Sequence, residues 1–169
     1  MLLCQGEDNL IPWSETYKLS WQDFEGQPNA EVDAVATTAS GITFRYSTTH
    51  NSSGVVGYKS TIKAHFYPKK SWYKPERATN YILSHEQLHF DITELHARKF
   101  RLLVEDLPLS NNLKQEMEAI HKKIIEDLSK MQDTYDAESS FSRIPEQQAK
   151  WQKFVTAELQ KLEAYKSKA

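Results

Sequence analysis

His85-Glu86-Gln87-Leu88-His89 constrains the fold of this 169-residue chain more than any other stretch. The pattern H-E-x-x-H makes sense only on a helix, where residues four apart stand one above the other on the same face. Both imidazoles then reach one metal ion, and Glu86 between them is placed to work on a water beside it. The flanks agree with this. Tyr81 to Ser84 lead in without charge, and Leu88 and Phe90 follow, a setting in which unpaired charges would be costly. No glycine or proline falls between Pro75 and Glu105, and Pro75 and Thr79 are both helix-start residues. The competing reading is of two ordinary helix histidines, packed or exposed.

A catalytic zinc takes three protein ligands and keeps a fourth position open, so His85 and His89 need a partner. His96 lies about 10 Å beyond His89 along a straight helix, out of reach, and reads as a packed or surface histidine. Glu94 is turned about 140° from His89 and reads as an ion-pair partner of Arg98. Asp91 is a candidate for the outer shell, because metal-bound imidazoles give their other N–H to a carboxylate or carbonyl; its alternative is solvation at the helix surface. If a second helix folds back about Pro108, residues equidistant from the turn meet, and His89 falls near Asp127 and His85 near Met131. Carboxylates at that level are Glu126, Asp127, Asp133, Asp136 and Glu138. Hairpin geometry alone does not choose among them.

The rest of the chain divides at about Pro75. From Trp13 to Trp72 the segments Lys18 to Phe24, Val32 to Thr38, Ile42 to Ser47 and Lys59 to Tyr67 are alternating, β-branched or aromatic and read as strands. Gly26-Gln27-Pro28, Ser40-Gly41 and Asn51-Ser52-Ser53-Gly54 read as the breaks. Beyond the motif helix, Leu113, Met117, Ile120, Ile124, Leu128, Met131 and Tyr135 step by threes and fours along a second helix capped near Ser110-Asn111. A third is expected from Pro145 to Tyr165, with Trp151, Val155, Leu159 and Leu162 on one side. The expected fold is one α+β domain over 1–169. Residues 13–72 are mainly β, a small and mostly antiparallel sheet, and 75–169 mainly α, the long H-E-x-x-H helix and two more.

Charge excludes some partners. With 26% charged residues and a formal net charge of −2, nothing points to nucleic acid or to an acidic membrane surface. No apolar run approaches the ~20 residues of a transmembrane segment. The single cysteine, Cys4, rules out an intramolecular disulfide and a cysteine zinc cluster. Met1-Leu2-Leu3-Cys4 reads either as the stub of an export signal or as an ordinary cytosolic start.

His85 to Ile92 with Glu94-Leu95 and Ala97-Arg98 resembles the central signature of the bacterial family known as domain of unknown function 922. Trp21-Gln22-Asp23-Phe24-Glu25-Gly26 resembles its W-x-D-F-x-G element, Ser71-Trp72 its S-W element, and Tyr135-Asp136 with Gln148 and Trp151 its Y-D and Q-x-x-W elements. The resemblance implies a zincin-like fold, a secreted or envelope zinc metalloprotease (a hydrolase) with Zn2+ as cofactor, and a peptide or protein substrate. It also implies a third ligand downstream. The family pattern has a histidine five residues after the aspartate, where this chain has Phe141. Asp136 is then the expected third ligand, with Glu138 as alternative, or the site is incomplete. Three functional expectations follow: a zinc peptidase with Glu86 as general base, a catalytically inactive zincin-like binding module, or a structural cell-envelope protein using its second and third helices as an interaction surface.

Overall fold

The computed structural model describes residues 9–167, so the reading of Met1 to Cys4 lies outside them. Five strands precede three helices: β1 (Ile11–Pro12), β2 (Ala36–Thr37), β3 (Ser40–Asn51), β4 (Gly54–Phe66), β5 (Trp72–Tyr73), α1 (Asn80–Glu105), α2 (Leu113–Ser139) and α3 (Pro145–Lys161). β3 and β4 form a long antiparallel hairpin with β1 on its far edge, in the order β1-β4-β3; β2 and β5 pair antiparallel in a second small sheet. The α+β expectation with its antiparallel sheet holds. No helix among the described residues is long and apolar enough to cross a membrane.

The strand readings were right where β-branched residues alternate and wrong where short polar side chains competed. Ile42 to Ser47 lies inside β3, and Lys59 to Phe66 is the second half of β4. Lys18 to Phe24 is not a strand. The Ser20 N–H and hydroxyl both donate to the Asp23 carboxylate, at 2.7 and 3.1 Å, and wind Trp21–Asp23 into a 3-10 turn. Of Val32 to Thr38 only β2 joins a ladder. Ser40-Gly41 is no break: it opens β3, and a Cβ on Gly41 would stand 2.7 Å from the Tyr67 hydroxyl, so the glycine is there for close packing. The hairpin does turn at Asn51 to Gly54, where Gly54 takes φ 117°.

α1 is buried on two sides. Phe90, Ala97, Phe100 and Val104 pack beneath the sheet against Ile62, Ala64 and Phe66 of β4, with Trp13, Leu19 and Phe24 closing the end. Each fully buried phenylalanine contributes about 1.5–3 kcal/mol. On its other side Leu88 and Ile92 meet Leu128 and Tyr135 of α2 and Val155 of α3. The expected apolar lines of α2 and α3 therefore do face inward. Thr79 caps α1, its hydroxyl accepting from the Ile82 N–H at 3.1 Å. Trp21 stacks on Tyr73 at 4.7 Å, which makes it a core aromatic as its type suggests.

The charges along α1 beyond the motif are structural. Glu94 is fully buried, and its carboxylate takes Arg98 Nε and Arg101 Nη1, each at 3.0 Å. The same arginines donate to the carbonyls of Leu159 and Tyr165, tying the end of the chain to α1. His96 is buried, with Nδ1 2.9 Å from the Ile92 carbonyl. Burial holds its pKa below the ordinary histidine value against that hydrogen bond, and Lys99 adds in the same sense as burial. Below about pH 6.5 the unfolded chain takes up a proton here that the folded chain refuses, so stability falls with acidification. Urea unfolding of metal-free protein at pH 7.5 and 5.5 should show a smaller acid loss in His96→Gln than in wild type. An equal loss would remove His96 from that account.

Candidate metal centre

α1 and α2 run antiparallel and bring the motif face of α1 against the last third of α2. Asp136 Oδ1 lies 3.0 Å from His85 Nε2 and 3.0 Å from His89 Nε2, and the two nitrogens are 3.2 Å apart. Among the described residues this is the one group of histidine, cysteine and carboxylate side chains close enough to share an ion. Four-coordinate zinc at its usual bond lengths separates its ligand atoms by about 3.3 Å, so the three fit one ion with little movement.

The outer contacts point the same way. Gln148 Nε2 donates to Ser84 Oγ at 2.9 Å and to the Tyr81 carbonyl at 3.4 Å, which turns its Oε1 to His85 Nδ1 at 3.2 Å. Gln132 Nε2 donates to the His89 carbonyl at 2.9 Å and to Thr93 Oγ1 at 3.3 Å, and its Oε1 meets His89 Nδ1. With both amides oriented by other acceptors, each Nδ1 must be the donor to its glutamine. Each Nε2 is left to face the Asp136 carboxylate with either a proton or a metal between them. Burial works to lower the His89 pKa, but the Asp136 hydrogen bond and the Glu86 charge outweigh it and raise the value. Burial likewise pushes Asp136 up, and the hydrogen bonds from His85 and His89 overcome it and hold the carboxyl well below the usual range. Gln132→Leu and Gln148→Leu should each weaken zinc binding about 10–100-fold in competition with a chelator of known affinity. Unchanged affinity would leave the amides with packing alone.

The sequence expectations sort cleanly against this geometry. His85, His89 and Asp136 come together. Glu138 does not: its carboxylate takes the Trp151 indole N–H at 2.7 Å on the surface. Asp91 is not the outer partner of either imidazole, because its position on α1 turns it to the Trp13 indole at 2.7 Å and to the Gln87 amide at 3.0 Å. Asp127 is exposed and pairs with Lys123 at 2.9 Å. The hairpin register differs from a fold about Pro108: His89 meets Gln132 and His85 meets Asp136, about one helical turn further along α2 than equidistance from Pro108 gives. Gln132 and Thr38 were not singled out by sequence. For Gln132 the available signal was its place one turn before Asp136 on the same helical face.

Glu86 is buried, and the Thr38 hydroxyl donates to its Oε2 at 2.6 Å. Tyr135 stacks on His85 at 4.5 Å and donates its hydroxyl to the His85 carbonyl at 3.3 Å, while burial pushes its pKa far up, so its proton stays in place. These groups open on a cleft of about 750 Å³, floored by α1 and walled by α2 on one side and by residues 33–41 on the other. No curated protein and no solved structure matches the chain significantly. A family profile matches residues 16–143, which hold the motif helix, Thr38 and Asp136, and the chain therefore belongs to the bacterial family of proteins of unknown function DUF922.

Proposed function

We propose that the protein is a zinc-dependent peptidase of zincin type, and that His85, His89 and Asp136 hold the metal. The observation that carries this reading is the meeting of those three ligand atoms in a cleft that also presents the Glu86 carboxylate. A bound Zn2+ supplies Lewis acidity, acidifying a water and polarising a carbonyl oxygen. Glu86, aimed by Thr38, takes the proton of the attacking water and returns it to the leaving amine. Gln132 and Gln148 keep the imidazoles turned.

The cleft suits an extended chain. The Lys74 N–H donates to the Val35 carbonyl at 2.8 Å, so Val35 faces β5 and, by the alternation of an antiparallel ladder, Ala36 and Thr38 turn their backbone groups away from it. That leaves an unpaired strand edge beside Glu86, to which a peptide can add by main-chain hydrogen bonds.

The test compares protein loaded with one equivalent of Zn2+ against chelated protein on a mixed peptide library, read by mass spectrometry. Cleavage that needs the metal and returns when it is restored supports the reading. Protein that holds one zinc and cleaves nothing sinks the peptidase and leaves a metal-binding module.

A further inference from the structure

The turn after α2 has three successive residues in the left-handed region, Ser140, Phe141 and Ser142, with φ of 48°, 53° and 70°. None is glycine, and a phenylalanine there has no polar side chain to offset the strain. Hydrogen bonds hold the turn: the Phe141 N–H donates to the carbonyl of the ligand residue Asp136 at 2.9 Å, and the Ile144 N–H to Ser139 at 2.9 Å. The result is a phenylalanine that is 58% exposed, the most exposed large apolar side chain among the described residues, on the wall of the metal cleft. Strain of this kind at a cleft, spent on exposing an apolar ring, asks for a functional reason.

Its place along the cleft is fixed by its neighbours. Arg143, two residues on, reaches Asp33 at 2.6 Å, and Asp33 also takes Arg77 at 3.2 Å, so Phe141 stands at the end where α1 begins. Tyr81 and Ile82 line the cleft from the first turn of α1. Asp33 sits by Arg77, Thr38 by Glu86, and Ser40 by Thr93, at 2.7 Å between hydroxyls, so residues 33–40 run in the direction of α1. A peptide pairing antiparallel with this edge runs the other way and carries its C-terminal half towards Phe141.

We propose that Phe141, with Tyr81 and Ile82, forms a subsite for an apolar side chain on the C-terminal side of the scissile bond, and so directs the enzyme to peptides with a leucine- or phenylalanine-like residue there. This rests on the zinc peptidase reading. The test uses zinc-loaded full-length protein and two probes, an unsubstituted succinyl hydroxamate and its isobutyl derivative, with dissociation constants from calorimetry. In wild type the isobutyl compound should bind about tenfold more tightly than its parent, the gain from partly burying four carbons. In Phe141→Ala that ratio should fall to about one. Phe141→Gly should lose the ratio too, yet raise Tm by about 2–4 °C by relieving the left-handed backbone. A ratio kept in both variants, or a Phe141→Gly protein less stable than wild type, overturns the subsite. A parent hydroxamate that fails to bind zinc-loaded wild type overturns the metal reading and the subsite with it.

Discussion

Asp136→Ala should leave a chelator-free purification with its helices intact and its zinc gone, whereas wild type should carry about one zinc per chain. The size of the effect follows from the number of ligands. Structural zinc sites gain roughly 10–16 kcal/mol from four ligands together, so one ligand accounts for about a hundredfold to a thousandfold in affinity. Removing the carboxylate also leaves two imidazoles facing each other at 3.2 Å with no anion between them. His85→Ala should do the same from the other side. Affinity in wild type should weaken as the pH is lowered through the histidine range, because the proton and the metal compete for the same Nε2 atoms and His89 holds its proton more firmly than an ordinary histidine. Mass spectrometry of metal content alongside circular dichroism checks this. Zinc lost from His85→Ala but kept by Asp136→Ala would discard Asp136 and reopen the search for a third ligand.

Glu86→Gln separates binding from chemistry. The amide keeps the size of the side chain and an oxygen for the Thr38 hydroxyl but cannot take a proton from water. Metal content should be unchanged, and peptide cleavage should fall by about 10²–10⁴, the usual worth of a general base. Turnover by this variant near the wild-type rate, after its metal had been verified, would remove Glu86 from the mechanism.

Much of α1 was legible because its constraints are local. Two histidines at helical spacing, an uninterrupted apolar setting and Thr79 at the start all lie within one element, and the helix runs as they require. The position of Asp136 beside the two histidines was not legible from spacing. Its register depends on how many residues the connection between α1 and α2 consumes, and Pro108 sits inside that connection instead of at its centre. Resemblance to a family element singled out Asp136 where hairpin geometry could not. The oriented glutamines were harder still, since a neutral amide on a helix usually faces water, and only the carbonyls of Tyr81 and His89 show which way each one points. Lys18 to Phe24 failed for a related reason: its aromatics mimic a strand, but a serine and an aspartate three apart close a turn locally before any ladder can form.

Gln148 belongs to α3, beyond the residues the family profile matches, and its amide is what turns the His85 ring. The consequence is one of timing during synthesis. A nascent chain that has released only its H-E-x-x-H helix has both rings unsteered, since Gln132 lies on α2 and Gln148 on α3, and it has no carboxylate beside them. The arrangement closes late, when α3 docks and Arg98 and Arg101 donate to the carbonyls of Leu159 and Tyr165. The two imidazoles, the Asp136 carboxylate and the amides that turn the rings therefore come together only once all three helices have met.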